Sequence, residues 1–476
     1  MCALSGCVSD AAYVHQNLPV PREWRVASLE RNGDADAPWW QQFDDAVLVQ
    51  LVATALAENR DVRIAAARVE GVLGRFRTTR GAALPQLGIT GSRARDRSSR
   101  TTGPQQLSPL VDPEFNQFQV QGTLSWEVDL FGRLRSATAA ARYDLLASAY
   151  ARRGVVLSLV SAVASQYVSL RNLDRQLEIT RATLSAREEA LRVFTARYKR
   201  GAISELEWNQ SRAEFESVAA GIPALERAVA QQENALSVLL GRNPSNLPRG
   251  KPIGALRPPD VPAGLPSTLL TRRPDLLQAE AELAATQMRV TEARLAFFPD
   301  ISITGAFGYA SKALRGFFDR PSLAWSAASN LSAPLFRGGA LQGQLLQAKA
   351  VREEAVLRYA SAVQTAFRET EDALVAAVTL RQQLVFIARE IDALSRAATL
   401  ARLRYDNGST GYLDVLDAER NLFSARLNEA QIETDLLQSH IGLYRAMGGG
   451  WVIVADRSAS GPFAGGLQSG AEPAHR

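Results

Sequence analysis

Cysteine is almost missing from these 476 residues: only Cys2 and Cys7 occur, both at the extreme N-terminus. The body of the chain therefore carries no disulfide framework and no thiolate metal site. Histidine is nearly as scarce. His15, His440 and His475 are scattered, so a histidine metal centre or a nucleophile–histidine pair has little to be built from. No run of about 20 apolar residues appears, which argues against a transmembrane helix. The glycine-rich phosphate loop, the GxGxxG turn and the GxSxG elbow are also missing. Charge of one sign is in short supply too. The net charge of +5 comes from 54 basic and 49 acidic residues mixed along helical faces. That mixture reads as solvated surface and not as a nucleic-acid footprint. Together these absences point away from an enzyme, a cofactor or metal protein, and a nucleic-acid binder.

What the chain does contain is a second copy of itself. Residues 61–91 align without a gap to 275–305, so that Asp61/Asp275, Arg80/Arg294, Pro85/Pro299 and Gly91/Gly305 share one offset. Farther on, Leu130-Phe131 matches Leu335-Phe336, Arg197-Tyr198-x-x-Gly201 matches Arg404-Tyr405-x-x-Gly408, and Leu240-Gly241 matches Met447-Gly448. Each copy is far longer than a solenoid repeat, so a whole half-molecule is written twice.

Each half reads as helix, strand, strand, very long helix, turn, helix. The first repeat is expected over 45–240, with strands near 86–93 and 117–130, a long helix over 132–199 and a helix over 204–240. Val156, Val163, Leu170, Leu177, Leu184, Leu191 and Tyr198 hold one heptad position. Leu159, Leu173 and Phe194 fill the companion position, diluted by Gln166, Thr180 and Arg187. At about 1.5 Å per residue such a helix runs ~100 Å, longer than any compact domain needs. The second repeat is expected over 267–450, with strands near 300–309 and 324–335, a long helix over 339–406 and a helix over 412–447. A Pro-rich connector over 241–266 joins the halves. An extended arm over 8–44, anchored by Trp39-Trp40, precedes them, and a disordered tail over 451–476 follows.

The strands decide the class. Phe118, Val120, Gly122, Leu124, Trp126 and Val128 alternate with Gln119, Gln121, Thr123, Ser125, Glu127 and Asp129. Strands of about 9–12 residues, apolar on one face and polar on the other, are the signature of outer-membrane barrels. Four strands cannot close a barrel, and lipid does not tolerate an open edge. The chain must oligomerise. Three copies give twelve strands around a water-filled lumen, whereas two give a barrel that side chains tend to plug. Residues 93–117 and 310–323 are then the loops at the tips of the two hairpins.

At the start of the chain, Leu4-Ser5-Gly6-Cys7 has the form of a bacterial lipobox, which makes residues 1–7 a residual lipoprotein signal and Cys7 the lipidated residue. Six residues are too few for a charged region and an apolar core, so the natural start is expected upstream.

Several short motifs, in order, resemble the TolC-type outer-membrane efflux proteins, and more narrowly their NodT-type lipoprotein branch. They are Trp39-Trp40 with Phe43, Asn59 before Asp61, Asp129-Leu130-Phe131-Gly132-Arg133-Leu134, Arg273-Pro274-Asp275-Leu276, Pro334-Leu335-Phe336-x-Gly338-Gly339 and Arg404-Tyr405-x-x-Gly408. The resemblance implies a mixed α and β membrane protein with an internal two-fold repeat. A trimeric, 12-stranded outer-membrane β-barrel would be continuous with a long periplasmic α-helical barrel. It further implies a passive export duct for drugs or other small toxic compounds. A periplasmic membrane-fusion adaptor and an inner-membrane resistance–nodulation–division transporter would complete the path. A lipid anchor in the outer membrane agrees with that branch. No cofactor is implied.

A passive duct must be closed at rest. The resemblance places its periplasmic gate at Asp414 and Asp417, spaced i, i+3 on one helical face, with Glu207 as the acidic position of the first half and Tyr405 as the gate tyrosine. Three chains would then crowd six of these aspartates at one constriction, a ring that binds cations and repels anions. The arginine of the family's gate links falls on Thr410 here, which leaves Arg404 or Arg197 to take its place. The plain alternative for both aspartates is a solvated helix start, where acids suit the dipole. For Tyr405 it is a place in the heptad seam. Two other functions stay open: a type I secretion duct for polypeptides, and a trimeric coiled-coil surface protein with no pore.

Overall fold

In a computed structural model of the chain, the described residues are 21, 23–25, 38–97, 99, 114–259, 266–448 and 451–459. The lipobox and Cys7 lie outside them.

Short polar residues start the helices. Helix α1 (Ala46–Glu58) begins at Asp45, whose carboxylate accepts the Val47 and Leu48 N–H groups. Helix α2 (Arg60–Ala82) begins at Asn59, whose carbonyl oxygen accepts the Asp61 and Val62 N–H groups while its amide donates to the Leu239 carbonyl at 2.8 Å. Strands β1 (Gln86–Arg97) and β2 (Glu114–Val128) follow. Asp129 then caps the 67-residue helix α3 (Arg133–Lys199) by accepting from the Leu134 and Arg135 N–H groups. Gly132, at φ +89°, makes the turn between them. Helix α4 (Glu205–Leu239) ends the first copy. The second copy repeats the order: a short α5 (Leu269–Arg272), α6 (Pro274–Leu295), β3 (Asp300–Ser311), β4 (Leu323–Ser332), a second 67-residue helix α7 (Ala340–Asp406) and α8 (Tyr412–Met447).

The chain divides into two compact units, with Arg68–Ser148 and Ala279–Tyr359 in one, and Leu18–Ala67, Ala149–Gln278 and Ala360–Arg476 in the other.

The first unit carries the sheet. Its strands pair antiparallel in the order β1-β2-β3-β4, so among the described residues β1 and β4 each keep one edge without a partner. The register sets Leu87 against Leu124, Ile89 against Gly122, Gly122 against Phe307, and Phe307 against Trp325. Directly opposed residues share a face. That face is apolar and open: Leu87, Ile89, Phe307 and Trp325 are 62–83% exposed. The first hairpin is longer than its apolar pattern. Arg93–Arg97 and Glu114–Gln117, expected as loop, continue the ladder, and Glu114 pairs with Arg95 at 2.9 Å and Arg97 at 3.4 Å across it. Backbone pairing needs no apolar side chain, so the strands outrun the signal that revealed them.

The second unit has a helical core. Val156, Val160, Val163, Tyr167 and Leu170 of α3 are fully buried with Leu48 and Val52 of α1, Leu236 of α4 and Tyr444 of α8. Helix α3 does contain an 18-residue window apolar enough to cross a membrane, with mean hydropathy 1.3, but 56% of that window is buried. These valines and leucines serve a protein core. The tail expected to be irregular from 451 onward instead opens with a further helix, α9 (Trp451–Ala459). Trp451 is fully buried among Trp39, Trp40 and Tyr444. The Trp39-Trp40 pair thus found a partner that no periodic pattern announced.

Candidate functional site

The two helical hairpins of the second unit turn through the same motif. At the first, the Gly201 N–H donates to the Tyr198 carbonyl and the Ala202 N–H to the Arg197 carbonyl, each at 2.9 Å. At the second, Gly408 donates to Tyr405 and Ser409 to Arg404, again at 2.9 Å. Both glycines sit at φ +71°. This is the Schellman close of a helix, which needs a left-handed residue one step past the end. The repeated Arg-Tyr-x-x-Gly is therefore a folding signal as well as a family mark.

Beyond the turns the copies diverge. Ser204 caps α4 through a reciprocal box: its hydroxyl accepts the Glu207 N–H at 3.2 Å, and the Glu207 carboxylate accepts the Ser204 N–H at 2.9 Å. Glu207 is thus committed to the backbone of its own helix. Gly411, in the equivalent place before α8, has no side chain to cap with. The Thr410 hydroxyl donates to the Asp414 carboxylate instead. Asp414 and Asp417 are both exposed. Asp417 has Arg420 at 3.7 Å, while among the described residues Asp414 makes no ion pair.

Behind the exposed acids lies a small aromatic core. Phe194, Tyr412, Val415 and Leu416 are buried together, with Ile203, Ala401 and Tyr405 packed on them. Tyr405 stacks on Phe194 at 5.9 Å between centroids and lies 5.4 Å from Tyr412, and Phe194 lies 4.2 Å from Tyr412. Burial raises the Tyr405 hydroxyl above the usual phenol range, and the Glu207 charge adds to this while Arg197 opposes it. The structure thus brings Tyr405, Glu207 and Arg197, from both halves, into one electrostatic neighbourhood. Burial likewise raises Tyr412, helped by Glu419 and opposed by its hydrogen bond to Ser211.

Two ion pairs tie this end of α8 to the first half, and the sequence pattern did not single them out. Arg187, only 5% exposed, pairs with Glu419. The Arg420 guanidinium pairs with Glu214, with Nε at 2.8 Å from Oε1. One signal was available: an arginine in an apolar heptad position is buried only with a partner, so Arg187 implied an acid opposite.

The Outer membrane efflux protein family profile matches residues 51–242 and 265–449, one segment in each copy of the repeat. The Pseudomonas putida protein named Solvent efflux pump outer membrane protein SrpC is 36% identical over 459 residues, covering 94% of this chain and 97% of its own. Among solved structures, CusC, studied for its transmembrane channel formation, superposes with a TM-score of 0.83 at 32% identity, covering 92% of this chain and 98% of its own. The open state of the Neisseria gonorrhoeae MtrE outer membrane channel gives 0.82 at 30% identity, covering 92% and 97%. The likeness carries the fold class, a mixed α and β membrane protein that gives four strands per chain to a trimeric outer-membrane barrel. It also carries the location, the bacterial outer membrane with extension into the periplasm. On sequence and fold together, the chain belongs to the outer membrane efflux protein family, whose members are transport channels serving as the outer-membrane ducts of tripartite efflux pumps.

Proposed function

We propose that three copies of this chain form a passive exit duct for small toxic compounds, and that its periplasmic end is gated by Asp414 and Asp417. The observation that carries the gate is their exposure one helical turn apart, at the start of α8, above an aromatic core that buries Tyr412, Val415 and Leu416. With Tyr412, Val415 and Leu416 turned inward, the carboxylates are left to meet those of neighbouring copies. Crowded like charges raise the energy of the closed ring unless protons or cations enter it, so cations plug the pore and their removal loosens it. Tyr405 and Glu207 serve as support. Tyr405 holds the turn against Phe194, and Glu207 fixes the start of α4.

The duct does no chemistry of its own. The solvent named for the Pseudomonas relative supports this reading of the substrate class, together with the family's efflux role. The partners that complete the route are a periplasmic membrane-fusion adaptor and an inner-membrane resistance–nodulation–division transporter, with lipid on Cys7 anchoring the arm.

The test is single-channel conductance in planar bilayers. Asp414→Ala combined with Asp417→Ala should raise conductance and weaken block by multivalent cations. If conductance and block both match the unaltered trimer, the acids are not the gate. Leu413 is then the next candidate, because it is 53% exposed whereas Val415 and Leu416 are buried in their own chain.

A further inference from the structure

On β1 the face that carries Leu87 and Ile89 continues through Gly91 to Arg93, Arg95 and Arg97. In a strand, residues two apart point the same way and lie about 7 Å from one another. The three guanidiniums therefore form a stripe ~13 Å long on the same side as the apolar band, at the hairpin end away from α2 and α3. All three residues are exposed. The Arg93 guanidinium lies over the Phe118 ring, 5.6 Å from its centroid, so an aromatic marks the border between the apolar band and the charges. One acid faces the stripe from β2: Glu114, at 2.9 Å from Arg95 and 3.4 Å from Arg97. Among the described residues, one carboxylate is set against three guanidiniums. Asp96 belongs to the opposite face, because its neighbours in the strand alternate with it. Lys312, from the second hairpin, stands over Phe115 on that opposite face as well.

Charge without lipid contact would need no alignment with the apolar band. Here the stripe is continuous with it and caps its end away from α2 and α3, where a bilayer that met the band with hydrocarbon would meet the stripe with headgroups. We infer that Arg93, Arg95 and Arg97 form a seat for the phosphate groups of outer-leaflet lipids, with the Phe118 ring bounding it on the acyl side. Guanidinium is suited to the task because its planar fork grips phosphate through two donors at once. Glu114 then acts as a built-in competitor that holds Arg95 and Arg97 in place until phosphate displaces it. This reading rests on the barrel role of the sheet and is independent of the gate.

The experiment uses the purified full-length trimer in neutral detergent, with bis-phosphorylated lipid A and its dephosphorylated counterpart as probes, and binding followed by native mass spectrometry. The phosphorylated lipid should bind at least about tenfold more tightly, and replacing all three arginines by glutamine should erase that preference. Glu114→Gln should tighten binding several-fold, because the competitor is gone. Arg93→Gln, which touches no ion pair among the described residues, should weaken it while leaving the trimer intact. These last two variants carry the test if the triple variant does not assemble. Equal affinity for the two lipids, or an affinity unmoved by both single variants, overturns the proposal. So does full displacement by millimolar inorganic phosphate, which would make the stripe a free-anion site. The conductance of the variants should stay at the starting value, which separates a failure here from a failure of the gate.

Discussion

The guanidinium of Arg273 grips the Asp275 carboxylate at two points, Nε to Oδ1 at 3.0 Å and Nη2 to Oδ2 at 2.8 Å. The same side chain reaches Glu369 on α7 at 2.9 Å and donates to the Ala446 carbonyl, at the end of α8, at 2.9 Å. Only 7% of it is exposed. Arg273 thus joins the start of α6, the middle of α7 and the last turn of α8. Arg273→Leu removes a buried cation and leaves the Ala446 carbonyl and the partly buried Glu369 without their donor, while Asp275, 50% exposed, can turn to water, at a cost of about 1–3 kcal/mol. The midpoint of denaturant unfolding, followed by circular dichroism, should drop accordingly. Arg273→Lys should recover part of the loss, because it restores charge but not the fork.

The two Schellman turns make a matched pair of predictions. No neighbouring atom stands within 4 Å of a Cβ built on Gly201 or Gly408, so alanine there meets only backbone strain. Each substitution should cost about 1–2 kcal/mol, the penalty for a left-handed L-residue. The two should cost nearly the same, since both angles are +71°. Unequal losses in thermal melts would mean that one turn carries a load outside its own chain.

Those turns show how legible the chain was. The Arg-Tyr-x-x-Gly repeat was visible as a repeat, and its cause, a helix closed through a glycine, is local enough to survive in sequence. The heptad seam was legible where its residues are aliphatic, and Val156, Val163 and Leu170 are indeed buried. Toward the turn the seam changes character. Leu184 and Leu191 are only half-buried, whereas Thr180 and Arg187, which looked like dilution, are buried. The burial of Arg187 depends on a long-range partner, Glu419, and a heptad count holds no information about it, whereas the Thr180 hydroxyl is satisfied by the Gln176 carbonyl one turn back. The strand ends were missed for a related reason, because a ladder is held by backbone groups that every residue carries. The divergence between Glu207 and Asp414 was visible as a change in the repeat. That Glu207 would spend its carboxylate on a capping box followed from Ser204, three residues earlier, a pairing that the acidic-ring reading passed over.

That capping box allows charge and structure to be separated at Glu207. Glutamine can accept the same Ser204 N–H bond without a charge, so Glu207→Gln should leave stability nearly unchanged. Ser204→Ala breaks the cap and should cost about 1 kcal/mol. If Glu207 contributes only structure, single-channel conductance will follow Ser204→Ala and ignore Glu207→Gln. The opposite pattern would return Glu207 to the ring of gate acids.

His440 gives a stability signal in mildly acidic solution. The ring is buried, with Nδ1 at 2.9 Å from the Leu436 carbonyl. Burial holds its pKa below the ordinary 6.5, and the charge of Arg381 pushes the same way while the Leu436 bond opposes. The unfolded chain therefore takes up a proton more readily than the folded one as pH falls below about 6.5. Stability from this group is fully present above that pH and is lost below it. His440→Gln should flatten the change in melting temperature between about pH 7.5 and pH 5.5 relative to the unaltered protein. An identical slope in the variant would show that other groups govern the acid side.

Trp451 and the arm meet face to edge. Trp451 lies 6.1 Å from Trp39 and 5.4 Å from Trp40 between ring centroids, at interplanar angles of 80° and 76°. Arg152 of α3 holds the same helix through Asp456 at 3.1 Å. Because Trp451 is fully buried, Trp451→Ala should cost about 3–5 kcal/mol, from lost transfer energy and the cavity left behind. The sharper measurement is a double-mutant cycle with Trp40→Ala. If α9 acts mainly by clamping the arm, the first substitution already forfeits what the second would remove. The pair should then fall short of additivity by about 0.5–1.5 kcal/mol, the size of an edge-to-face aromatic contact. Strict additivity would mean that Trp451 fills space beside Tyr444 and that the arm is held by Trp39 and Phe43 without it.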